Sequence, residues 1–107
     1  MLRGMIRANS KIGSMVYIST IDVDFSTGVI LDDLLGQCEI TGKPASGYFE
    51  VMIKDLGSRV CNQAFLYYTQ EEAVEEHDRY IKSLIKHLSK SSSDLLEELK
   101  RRLTNGC

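Results

Sequence analysis

Two carboxylates at alternate positions, Asp22 and Asp24, are the residues in this sequence best suited to chemistry. Side chains at i and i+2 of a strand lie on one face, where two carboxylates can share a hard cation such as Mg²⁺. Carboxylates are also mostly exposed in proteins, and solvent at the end of a predicted strand accounts for the pair more simply. We favour that simpler interpretation and expect no metal ion.

The thiols and imidazoles add no catalytic or metal-binding set. The four residues concerned are Cys38, Cys61, His77 and His87, and their spacing matches no closed zinc module. Both histidines fall on one predicted helix, so no Ser-His or Cys-His pair can be argued. His77 lies on the apolar face of that helix, where a buried imidazole is commoner than a ligand. The sequence therefore predicts no cofactor and no enzymatic activity.

Two arginines, Arg3 and Arg7, precede an Asp-Phe-Ser-Thr-Gly segment at residues 24–28. Guanidinium groups suit phosphates and guanine edges because they donate two parallel hydrogen bonds. The arrangement is similar to the two-part signature of PilZ domains, which bind cyclic di-guanylate, except that the glycine comes one position early. The resemblance implies a sensor of a small anionic ligand or nucleotide, held by the two arginines with Asp24 and Ser26.

Aromatic and leucine side chains indicate a different function, the binding of another protein. Tyr48, Tyr67 and Tyr68 belong to a predicted hairpin, and alternate residues of a strand face opposite ways, so some of these rings must leave the core. Exposed tyrosines are typical of protein interfaces. Leu99 and Leu103 lie on the apolar stripe of a short C-terminal helix that must dock on something, including a second copy of the chain in a homodimer.

Strand and turn patterns fill the first two thirds of the chain. β-Branched and aromatic residues predict a strand within residues 12–25, a turn at 26–28 and a short strand at 29–31. The Gly/Pro-rich residues 41–47 predict a surface loop. Alternation from Tyr48 to Lys54, and then from Arg59 to Tyr68, predicts a second hairpin.

Two helices follow the predicted sheet. Thr69 and Glu72 form a capping box, and apolar residues then recur at spacings of three and four up to Leu88. Three serines break this pattern, and a second helix spans residues 94–104. We predict one α+β domain over residues 1–107, with an antiparallel sheet of four to five strands followed by two C-terminal helices. Residues 1–11 are expected to be flexible.

Composition and charge limit the classes of partner and the cellular compartments that we expect for this protein. The formal net charge is −2, which gives no general attraction to nucleic acid or to an anionic membrane. No apolar run approaches the roughly 20 residues that span a bilayer. Three widely spaced cysteines fit reduced thiols in the cytoplasm better than a disulfide framework.

DNA binding through the sheet is the weakest of the alternatives. Residues 65–73 look like the last strand and helix start of AP2-type domains, which read DNA with their sheet. Lys54 and Arg59 are the only basic residues between Gly47 and Thr69, too few for a typical interface with DNA. The favoured prediction is a non-catalytic protein-binding module, an adaptor, inhibitor or immunity-type protein, that contacts its partner through Tyr48, Tyr67, Tyr68, Leu99 and Leu103.

Overall fold

The computed structural model describes residues 6–88 and 93–103 and has the predicted α+β architecture. A five-stranded sheet precedes two helices, and every strand pairs antiparallel to its neighbours in the order β4-β3-β2-β1-β5. The elements are β1 (Met15–Asp24), β2 (Val29–Ala45), β3 (Tyr48–Ile53), β4 (Gly57–Asn62), β5 (Leu66–Tyr67), α1 (Gln70–His87) and α2 (Ser93–Arg101). Neither helix in the described ranges is long and apolar enough to cross a membrane.

Strand β2 is longer than the sequence predicts. Instead of ending after residue 31 and giving way to a loop at 41–47, the strand continues through Pro44 to Ala45. The prediction of a loop was wrong for residues 41–45, because the register shifts on both sides of Gly42 and the exposed Pro44 lies in this irregularly paired stretch. Proline is tolerated at such irregularities since it need not donate to the ladder. Residues 46 and 47 do form a turn.

The sheet is curled, and its concave face forms the main core. Val16 and Ile18 of β1 pack there with Ile40, Phe49 and other buried side chains, and within the described ranges no helical residue belongs to this cluster. Arg59 of β4 reaches Asp32 of β2, with N to O distance 3.2 Å. Across β3, Arg59 lies level with the part of β2 near Ile40. Asp32 is eight residues away from Ile40 along β2, a distance of about 26 Å in a straight strand. Only a strongly bent β2 allows this contact.

Helices α1 and α2 cover the convex face. The Thr69 hydroxyl accepts a hydrogen bond from the Glu72 amide, as predicted for a helix cap, and it donates to the Glu72 carboxylate. Ile81 of α1 then packs with Leu95 and Leu99 of α2 against Ile21 and Val23 of β1. A nine-residue helix is too short to be stable alone, so this second apolar cluster holds α2 in place.

The predicted strand from Arg59 to Tyr68 is interrupted. β4 ends at Asn62, whose side chain accepts a hydrogen bond from the Ala64 amide and caps a 3-10 turn at Gln63–Phe65. The turn carries the chain across to the opposite edge of the sheet, where the two residues of β5 pair with Tyr17 and Ile18 of β1. In the described part of the chain, no strand lies beside this edge of β1 beyond Ile18.

Candidate functional site

The described residues do not assemble the predicted anion site. The Ile6 amide donates to the Leu66 carbonyl, and Leu66 lies opposite Ile18. Ile6 therefore sits six residues along β1 from Asp24, about 20 Å. Arg7 is held there by its backbone amide, which donates to the Tyr68 hydroxyl. Arg3 lies outside the described residues.

Asp24 and Ser26 do lie together, in the turn between β1 and β2. The Asp24 carboxylate accepts hydrogen bonds from the Ser26 amide, at 2.9 Å, and from the Ser26 hydroxyl, at 2.7 Å. These bonds favour the charged form and lower the pKa of Asp24 below its ordinary value. The hydrogen bonds between Asp24 and Ser26 thus stabilise a hairpin turn. Within residues 6–88 and 93–103, no group of three or more candidate ligands could hold a metal ion.

Two of the five predicted partner-binding residues are buried by the chain itself. Tyr67 is 4% exposed and Leu99 is 0% exposed. The prediction that these two residues lie on the surface was therefore wrong. The Tyr67 hydroxyl donates to the Ala64 carbonyl, and burial raises the pKa of that tyrosine. Leu99 packs on Ile81, with Leu103 half-buried against the same cluster. The leucine stripe thus docks α2 on its own sheet, because β1 and α1 present a matching apolar surface.

Tyr48 and Tyr68 are exposed, but they lie in different places. The Tyr68 hydroxyl, next to Ser10 and the Arg7 amide, ties the first described residues to the start of α1. Those hydrogen bonds lower the pKa of Tyr68. Tyr48 instead borders a cleft that opens between β1, β4 and α1. The predicted tyrosine face is therefore divided, and of its two exposed tyrosines Tyr48 borders the cleft and Tyr68 does not.

This edge cleft follows the unpaired part of β1 and consists of two connected pockets. An apolar pocket of about 160 Å³ lies against α1, and a larger pocket of about 500 Å³ lies against β4. The smaller pocket alone is lined by Ser19, Ala64, Tyr67, Glu76 and His77. The larger pocket alone is lined by Asp22, Asp32, Tyr48, Arg59, Val60, Cys61 and Asn62. Both pockets share Thr20, Ile21, Phe65 and Tyr80. The larger volume is within the usual range for ligand sites.

Aromatic side chains at the mouth of the edge cleft are exposed. Tyr48, Phe65 and Tyr80 have 44%, 42% and 52% of their surface accessible, and Val60 has 54%. Exposed rings of this kind are enriched at the centre of protein interfaces because they bury a large apolar area at little entropic cost.

The backbone of β1 offers hydrogen-bonding groups to the edge cleft. The Ile40 amide donates to the Ser14 carbonyl, and the register places Met15 opposite Glu39, so even-numbered residues of β1 bond toward β2. Odd-numbered residues therefore direct their amides and carbonyls outward, as Tyr17 does in its pairing with β5. Ser19 and Ile21 continue this outward series beyond Ile18; each is only 7% exposed, and both line the smaller pocket under α1.

Charges in the larger pocket leave one acidic side chain without a protein partner. Asp32 accepts hydrogen bonds from Thr20, at 3.1 Å, and from Arg59, which neutralises it. Among the residues that the structure describes, no side chain forms a hydrogen bond or ion pair with the exposed Asp22 carboxylate. The pocket thus carries a net negative charge located at Asp22.

Asp33, the neighbour of Asp32, faces the helices and joins three elements. Its carboxylate accepts hydrogen bonds from His77 Nε2, at 2.7 Å, and from Arg102 beyond the end of α2. Because a carboxylate only accepts, the His77 proton lies on Nε2. His77 is 3% exposed, and its Nδ1 has no hydrogen-bond partner among the described residues. The burial of His77 confirms its predicted place in the core.

Cys38 and Cys61 are buried free thiols. Burial raises the pKa of Cys38 to about 12 and that of Cys61 to about 11. Since the thiolate is the reactive form, both groups are poor nucleophiles at neutral pH. Cys61, which is 6% exposed, packs as a small apolar residue of the main core.

No family model, curated protein or solved structure matches this chain. Candidate residues therefore come from geometry alone, and sequence reasoning missed Asp22 as a cleft residue, along with Tyr80, which it placed on the apolar stripe of α1. A signal for the cleft was present at Asn62: asparagine is a favoured cap, and a cap at this position ends β4 and opens the edge of β1.

Proposed function

We propose that this protein is a non-catalytic protein-binding module that receives an extended segment of its partner in the edge cleft. The observation that carries the proposal is the unpaired edge of β1, whose Ser19 and Ile21 backbone groups face the cleft. An added strand completes such an edge with main-chain hydrogen bonds, and flanking pockets select its side chains.

The flanking pockets support an extended polypeptide as the ligand. Tyr48, Phe65 and Tyr80 supply exposed apolar surface on either side of the edge. The free edge of β4 borders the same pocket through Val60 and its neighbours. A strand laid here gains contacts from both edges of the curled sheet, which removes the unpaired edge that proteins otherwise protect.

Peptide binding by matched tyrosine variants tests the proposal. A phage-displayed library of random linear peptides is selected on the wild-type protein, and the affinity of the enriched peptides is measured by fluorescence anisotropy. Tyr48→Ala and Tyr80→Ala should each weaken binding about tenfold, the usual effect of losing an interface anchor. Tyr68→Ala is the control, because this tyrosine is exposed to a similar extent, 47%, but lies outside the cleft.

Nuclear magnetic resonance of the same complexes locates the peptide. The amide signals of Ser19 and Ile21 should shift and become protected from exchange, because both amides point toward the added strand. Peptides that bind equally well to all three variants, or that leave these two amides unchanged, contradict the proposal.

A further inference from the structure

We infer that the partner segment carries a lysine or arginine opposite Asp22, next in sequence to an apolar residue that fills the smaller pocket. The inference rests on the proposed function and specifies the partner's chemistry. Its basis is the combination of one unpaired carboxylate with two pockets of different character on the two sides of one strand edge.

Charge complementarity selects the basic residue. Arg59 and Asp32 neutralise each other across the larger pocket, and in the smaller pocket Glu76 has its own partner in Arg79, at 2.9 Å. Asp22 is the cleft carboxylate that no described side chain neutralises. An acidic segment is repelled at this position and a neutral one leaves the charge unpaired, whereas a cation gains the ion pair.

Strand geometry places the apolar residue beside the basic one. Successive residues of β1 face opposite sides of the sheet. Asp22 accordingly lines only the larger pocket, and Ser19, on the opposite face, lines only the smaller one. A strand paired with β1 alternates in the same way, and its residue next to the one opposite Asp22 enters the smaller pocket. Ile21, Phe65 and Tyr67 give that pocket an apolar lining, and its volume of about 160 Å³ suits one side chain.

The test compares peptides selected by the wild-type protein with those selected by Asp22→Asn. This substitution keeps the shape of the side chain and removes its charge. Asp55→Asn is the matched control, because it removes one charge from the exposed turn before β4, where a positive φ of 68° is well suited to asparagine.

Wild-type protein and Asp55→Asn should both enrich peptides with a basic residue adjacent to an apolar one, and Asp22→Asn should lose the basic preference. Replacing the selected lysine by methionine should weaken binding to wild type about fivefold, the effect of a favourable exposed ion pair, and leave binding to Asp22→Asn unchanged. The wild-type affinity should also fall with rising salt more steeply than that of Asp22→Asn.

Other outcomes overturn the inference in distinguishable ways. Peptides without basic residues that still depend on Tyr48 and Tyr80 overturn it and leave the proposed function standing. Failure to recover any peptide that depends on those tyrosines overturns the proposed function itself. Sedimentation that finds a dimer which dissociates when peptide binds assigns the cleft to a second copy of the chain, and this also overturns the inference.

Discussion

Neutralising Asp33 should destabilise the protein far more than neutralising its neighbour Asp32. Asp33→Asn removes the negative charge and leaves one acceptor oxygen for two donors, His77, which is 3% exposed, and Arg102. A hydrogen bond to a charged group, like the one from His77, contributes about 1.5–3 kcal/mol. The bond from Arg102, which is 36% exposed, adds only about 0.5–1 kcal/mol because solvent screens it. The expected loss is therefore about 2–4 kcal/mol in the free energy of unfolding.

Asp32→Asn is the matched control. The two residues are adjacent in β2 and undergo the same substitution, but the partners Arg59 and Asp32 are 39% and 30% exposed. The expected loss is below about 1 kcal/mol. Urea denaturation followed by circular dichroism separates these values, since at an m-value of about 1.5 kcal/mol per molar a loss of about 3 kcal/mol lowers the midpoint by about 2 M.

Equal midpoints for the two variants would refute the reasoning. That result would mean that the buried bond between His77 and Asp33 contributes no more than an exposed ion pair. A double-mutant cycle with His77→Gln isolates the pairwise free energy, which should exceed about 1 kcal/mol.

Two further changes address α2 and the buried thiols. Leu99→Ala should lower the free energy of unfolding by about 2–5 kcal/mol, because Leu99 is 0% exposed, and it should speed hydrogen exchange across α2. The control Lys100→Ala, at an exposed neighbouring position, should change neither quantity. Equal effects of the two substitutions would contradict the docking of α2 by its leucines. Burial raises the pKa of Cys38 in the folded protein to about 12, from an ordinary value of 9.0. Between about pH 9 and about pH 12 the unfolded state therefore binds fewer protons than the folded state. Stability should therefore be constant with respect to this thiol below about pH 9 and fall above it by about 1.4 kcal/mol per pH unit. Cys38→Ala should reduce that slope in alkaline denaturation, and an unchanged slope would count against the raised pKa.

Elements with a strong local signal could be predicted from the sequence. The cap at Thr69, the apolar stripe of α1, the turn at residues 26–28 and β3 all appear where expected, because their patterns depend on near neighbours. Strand ends were harder to predict: Pro44 resembles a loop residue, yet irregular pairing retains it in β2.

The edge cleft depends on contacts between distant parts of the chain. Local pattern predicted exposed aromatic residues, but the tertiary structure brings Tyr48 and Tyr80 to the same pocket and buries Tyr67. The sequence by itself determined the α+β class, the two amphipathic helices and the buried His77, since periodicity and capping are local. Only the tertiary structure decided that β5 pairs with β1 over just two residues and leaves β1 open beyond Ile18, and that Leu99 docks within its own chain, because both outcomes depend on contacts between distant parts of the chain.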